Sequence, residues 1–105
     1  MKYWKVEYTS EAKKDRKALE KSARIQVDKA ILKVSQNPLP KREGGYGNPL
    51  GNKQGTNLTG LLKIKLKKLG IRVVYMLIRD EISMKIIVIA ARADSEVYEI
   101  AEGRK

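Results

Sequence analysis

Five side chains in the second half of the sequence have types and spacing that suggest chemistry. Lys63-Ile64-Lys65-Leu66-Lys67 alternates cation and apolar residue. On a β-strand, with its period of two, Lys63, Lys65 and Lys67 share one face while Ile64 and Leu66 turn toward a core. Lys68-Leu69-Gly70 reads as a turn, which brings residues 71–75 back alongside as an antiparallel strand. If Lys65 and Arg72 stand opposite each other, both side chains lie on the same face. A third strand ending at Arg92 returns to the same end of the sheet, and Tyr98 follows closely. Lys63, Lys65, Arg72 and Arg92 then converge on one concave cationic surface, whose simplest ligand is a phosphate.

Composition limits what such a surface can do. The 105 residues contain no His and no Cys. That excludes imidazole acid–base catalysis, thiolate nucleophiles, disulfides and zinc sites built on those ligands. Proton transfer would fall to Lys, Arg, Tyr or Glu. The 23 Lys and Arg residues outnumber the 12 Asp and Glu by 11, which points to a polyanionic partner. From Asp94 onward the sign reverses, with Glu96, Glu99 and Glu102 outweighing Arg104 and Lys105. The opening Met1-Lys2-Tyr3-Trp4-Lys5 is no signal peptide, and the longest apolar runs, 73–78 and 86–91, are too short to span a bilayer. A cytoplasmic protein with no membrane partner and no cofactor is expected.

The pentad has a plain reading beside the chemical one. Lysines on the outer face of an edge strand discourage edge-to-edge aggregation. Arg72 argues against that as the whole account. It alternates with Val74, Met76 and Ile78 on a strand that otherwise looks covered, where an unpaired charge is costly. No acid occurs between residues 44 and 79. The cations Lys13, Lys14, Arg16, Lys17, Lys21 and Arg24 cluster near the N-terminus. They read first as solvated helix faces. With a nucleic-acid partner they, with Lys67 and Lys68, would add sequence-blind, salt-sensitive affinity.

The elements that must position these residues follow from pattern. Residues 3–8 alternate as a first strand. Ser10 is placed to cap a short basic helix running to about Glu20, and Ser22 restarts a helix that Asn37-Pro38 ends. In the second helix Ala23, Val27, Ala30, Ile31 and Val34 form a core stripe. Residues 38–60 hold all three prolines and six of the eight glycines, and read as a long irregular connector. No Gly-Lys-Ser/Thr ends it, so it is not a phosphate loop of the Walker type. Strands over 62–67, 71–79 and 84–91 follow; the last two are apolar enough to be central. A short helix from Asp94 or Ser95 to about Gly103 closes the pattern. The expectation is an α+β fold: a small antiparallel-rich β-sheet covered on one face by an N-terminal helical hairpin, in the order β-α-α-β-β-β-α. It forms a single domain, 1–105, with a Gly/Pro-rich loop at 38–60.

The segments Lys63-Ile64-Lys65-Leu66, Gly70-Ile71-Arg72-Val73-Val74-Tyr75 and Arg92-Ala93-Asp94-Ser95-Glu96-Val97-Tyr98 together resemble the RelE toxins of type II toxin–antitoxin modules. The resemblance takes in the Leu58-Thr59-Gly60 entry to the meander and runs along almost the whole chain. It implies a RelE-like fold and a metal-independent endoribonuclease that enters the ribosomal A site and cuts mRNA. It also implies a cognate antitoxin, the ribosome and mRNA as partners. By the same resemblance, Lys65 is the general base for the ribose 2′-OH and Arg92 the general acid for the leaving 5′-oxygen. Lys63 and Arg72 bind the scissile phosphate, and Tyr98 stacks on or orients a nucleotide. The chain departs from the best-known members in a longer loop at 41–57 and in Thr59, which replaces a basic residue. A non-enzymatic ParE-like inhibitor or an RNA-binding module on the same scaffold is the alternative. The acidic tail suggests a further expectation, that it lies over the cationic surface at rest and is displaced by antitoxin.

Overall fold

A computed structural model describes residues 3–53, 56–91 and 94–104. The chain runs β1 (Lys5–Tyr8), α1 (Ser10–Lys17), α2 (Lys21–Ser35), a 3-10 turn at Lys41–Glu43, β2 (Asn48–Lys53) and β3 (Thr56–Leu66). It continues with β4 (Ile71–Ile78), a second 3-10 turn at Arg79–Glu81, β5 (Ser83–Ala90) and α3 (Asp94–Arg104). The five strands form one sheet in the order β1-β5-β4-β3-β2. β1 runs parallel to β5 and every other pairing is antiparallel. The α+β class and the central position of β4 and β5 are as expected. Among the described residues, no helix is long and apolar enough to cross a membrane.

The sheet has one strand more than the sequence pattern suggests. The segment 38–60, expected to be an irregular loop, contains β2 and the first half of β3. Pro49 can sit in β2 because that strand lies at the sheet edge, where a missing N–H costs no ladder bond. A register shift between Pro49 and Gly51 marks a bulge at Leu50, which is buried.

Strict alternation sorts β3 and β4 onto two faces. Ile64, Ile71, Val73 and Tyr75 join Ala12 of α1 and Val27, Ile31 and Val34 of α2 in one core. Leu61 and Val74 join Val97, Tyr98 and Ala101 of α3 in a second core. β5 serves both through a bulge. Val74 pairs with Val88 and Tyr75 with Ile86, so the extra residue Ile87 reaches the α3 side beside Val88. Helices therefore cover both faces.

The helix boundaries differ slightly from expectation. Thr9, not Ser10, caps α1: its backbone is extended and its hydroxyl accepts the Ala12 N–H at 3.0 Å. α1 stops at Lys17 rather than near Glu20, and α2 begins at Lys21. Arg24 closes the joint. Its guanidinium donates to the carbonyls of Arg16, Lys17 and Leu19, at the end of α1 where carbonyls run short of intrahelical partners.

The stretch between α2 and β2 is tightly folded, not a floppy connector. Lys41 N–H donates to the Gly47 carbonyl, Gly47 N–H to the Leu39 carbonyl and Tyr46 N–H to the Asn37 carbonyl. Glycine is required twice. A Cβ on Gly45 would overlap the Leu39 backbone, and one on Gly47 would lie 2.6 Å from the Tyr75 hydroxyl oxygen. That hydroxyl, fully buried, donates to the Pro38 carbonyl at 2.8 Å. Glu43 and Arg79 form a two-pronged ion pair at 3.0 and 2.9 Å, tying this compact loop to the β4–β5 turn.

Candidate active site

Lys65 and Arg72 stand directly opposite each other across β3 and β4. The link that sets this register is the four-residue turn 67–70, which Gly70 closes at φ 66°. Lys63 lies two residues back on the same face, while Ile64 between them is buried in the opposite core. Lys63 and Arg72 are half-buried and Lys65 is exposed. Arg72 Nη1 also donates to the Gly70 carbonyl at 3.2 Å. β3 is an interior strand, flanked by β2 and β4, so edge protection does not account for its lysines. Like charges placed opposite each other in a sheet are unfavourable by themselves. An anion bound between them reverses that sign.

α3 brings Tyr98 to this face. Lys63 Nζ donates to the Tyr98 hydroxyl oxygen at 2.8 Å, and the tyrosine is 6% exposed. The ammonium is 5.5 Å from the ring centre, a proximity that the hydroxyl contact explains. It sits at the polar end of the ring, so the hydrogen bond is the interaction that matters. The structure thus gathers Lys63, Lys65, Arg72 and Tyr98. Arg92 lies outside the described residues.

The outlying cations divide into two groups. Lys13, Lys14, Lys17 and Lys21 are exposed on the helices, and Lys67 and Lys68 are exposed in the β3–β4 turn. Lys67 is past the end of β3, so the strand alternation stops at Leu66. Arg16 and Arg24 are engaged within the helix pair instead. Arg16 holds Asp28 through two bonds of 2.9 and 2.7 Å, an interaction that raises its own pKa, while Arg24 closes the α1 end described above. Beside this pair, Tyr8, Lys13, Lys17 and Leu32 line an open groove of about 520 Å³. Burial, with Asp28 nearby, pushes the Tyr8 phenol up.

One grouping escaped the sequence reading. Lys33 of α2, Lys41 and Tyr46 meet in a groove on the α2 side of β3. The available signal was an aromatic residue set between glycines, Gly45-Tyr46-Gly47, but its partners are far off in sequence.

No protein-family model matches the chain, and no curated protein matches it in sequence. Solved structures do match. A double arginine-to-alanine variant of the E. coli toxin RelE in the free state has a TM-score of 0.74 at 24% identity, over 98% of both chains. The isolated E. coli RelE toxin has a TM-score of 0.70 at 26% identity, over 96% of this chain and 97% of that one. The toxin–antitoxin complex RelBE2 from Mycobacterium tuberculosis has a TM-score of 0.69 at 22% identity, over 90% of this chain and 97% of the matched chain. Along nearly its whole length, the chain has the fold of the RelE toxins.

Proposed function

We propose that this chain is the toxin of a toxin–antitoxin pair and acts as a ribosome-dependent mRNA endonuclease in the cytoplasm. Likeness to RelE structures, some of them bound to the antitoxin RelB, supports the toxin reading and an antitoxin partner. The observation that carries the chemistry is Lys65 in register with Arg72, with Lys63 on the same face. In the proposed reaction a neutral Lys65 amine takes the proton from a ribose 2′-OH. The 2′-oxygen attacks the adjacent phosphorus, the bond to the 5′-oxygen breaks, and Arg92 protonates or electrostatically steadies that leaving oxygen. A 2′,3′-cyclic phosphate results, with Lys63 and Arg72 holding the phosphoryl oxygens as charge develops. No metal or cofactor takes part in this scheme.

An ordinary lysine, pKa about 10.4, is neutral in only about one molecule in 2,500 at pH 7. Cutting of free RNA is therefore weak in this scheme, and the ribosome supplies substrate orientation, which is worth several kcal/mol. The buried Tyr98 ring cannot stack on a nucleotide where it lies. The α3 position seen here is accordingly the resting one in this proposal, and antitoxin binding moves it further from use.

Primer extension on mRNA after inducing the chain in cells tests the reading. Codon-phased cuts confined to translated frames are expected. Intact mRNA with damage confined to DNA would overturn it in favour of a ParE-like inhibitor.

A further inference from the structure

The groove on the α2 side of β3 has the composition of a nucleotide site. Its volume is about 370 Å³, and its floor is apolar, formed by Ala30, Val34 and Ile64. One wall is the ring of Tyr46, a residue that is 47% exposed. Lys33 and Lys41 stand at the rim, beside the start of β2 at Asn48. Among the described residues no carboxylate lines it, and nearby Glu43 is held by Arg79. Lys33 Nζ lies 5.7 Å from the Tyr46 ring centre, within cation–π range.

The platform is preorganised. Tyr46 is fixed through its own N–H to Asn37, and the glycines on either side press against Leu39 and Tyr75. An exposed aromatic on such a loop loses little entropy when a ring stacks on it. Flat aromatic faces and flanking cations are the features that recognise unpaired bases and their phosphates.

We propose that this groove binds one unpaired nucleotide of single-stranded RNA. The base stacks on Tyr46, and the adjoining phosphates lie against Lys33 and Lys41. The choice of RNA rests on the function proposed above; the nucleotide chemistry rests on the groove alone. Asn48 stands opposite Lys63 in the β2–β3 register. An RNA strand leaving the groove thus crosses only the β2 edge to reach the cationic face.

The test is binding of a fluorescent 2′-O-methyl RNA octamer to the full chain, followed by anisotropy across a salt series. This probe cannot be cut by 2′-oxygen attack, so failure of the nuclease reading leaves the result interpretable. Tyr46→Ala should weaken binding roughly 5- to 150-fold, and Tyr46→Phe, which keeps the ring, should bind within twofold of the parent. On an octamer of abasic residues the Tyr46→Ala loss should vanish. Lys33→Gln with Lys41→Gln should flatten the slope of log affinity against log salt by about 1.4. Tyr46→Ala binding within twofold of the parent, or losing equally on the abasic strand, would overturn the site. Adenosine monophosphate competing as tightly as the octamer would overturn its assignment to RNA.

Discussion

Replacing Asp15 or Arg104 tests how α3 is held over the cationic face. β1 pairs with β5 only as far as Ile86, so beyond Tyr8 the β5 backbone loses its strand neighbour. Asp15 and Arg104 take that place. Asp15 Oδ2 accepts the Ile89 N–H at 3.1 Å and Arg104 Nη1 at 2.7 Å, while Arg104 also donates to the Ile87 carbonyl at 2.9 Å. The two side chains are 21% and 23% exposed respectively, so solvent screens them only partly. Asp15→Ala orphans a backbone donor and strips a mostly buried guanidinium of its counter-charge, at a cost of about 2–3 kcal/mol. Arg104→Ala leaves Asp15 on Ile89 and orphans one carbonyl, at about 1–2 kcal/mol. A chain of this size loses roughly 4–8 °C of Tm per kcal/mol, so Asp15→Ala should melt roughly 8–24 °C lower. Urea denaturation of both single variants and the double variant gives the coupling, expected at about 1–2 kcal/mol. Amides of α3 near Val97 and Ala101 should exchange faster in Arg104→Ala. Coupling within about 0.3 kcal/mol of zero, or Asp15→Ala costing no more than Arg104→Ala, would refute the reasoning.

Other consequences can be measured in the same way. Burial pushes the Tyr75 phenol above its usual value, so the folded chain keeps a proton that the unfolded chain releases above about pH 10. The resulting stability is intact below that pH and is lost above it. Between pH 9 and pH 11 the parent should lose about 1.4 kcal/mol more than Tyr75→Phe; parallel profiles would contradict this. At neutral pH Tyr75→Phe should itself cost about 1–2 kcal/mol by orphaning the Pro38 carbonyl. Gly47→Ala, whose Cβ meets Leu62 and the Tyr75 hydroxyl, should destabilise by about 1–3 kcal/mol, whereas an unchanged urea midpoint would show that the loop yields. Arg92→Ala should abolish cleavage of ribosome-bound mRNA while the melting temperature holds, and undiminished cutting would remove Arg92 from the mechanism.

The cationic cluster was legible because its geometry is local. Lys63 and Lys65 share a strand, and the short turn closed by Gly70 sets Lys65 against Arg72. The α2 stripe was legible for a similar reason, since helical period alone selects Val27, Ile31 and Val34. β2 was hidden because Pro49 and the glycines signal a loop, and only the strand's edge position makes that proline harmless. The plain reading of the lysines failed with it, because β2 is what makes β3 interior. Cations answered by distant partners also look free in sequence. Arg16 finds Asp28, and Arg24 finds carbonyls of the preceding helix end. The Lys63–Tyr98 bond joins residues 35 apart, which no periodicity reveals.

The central claim is metal-independent cutting of ribosome-bound mRNA through Lys65. Its most direct measurement uses purified ribosomes stalled on an end-labelled mRNA with a defined A-site codon, incubated with the folded chain in the presence of a metal chelator that leaves the ribosomes intact. The account predicts a cut within that codon, a 2′,3′-cyclic phosphate on the upstream fragment, and a rate for Lys65→Ala lower by about 10²- to 10⁴-fold. An intact mRNA with the parent chain, or equal cutting by Lys65→Ala, would contradict it.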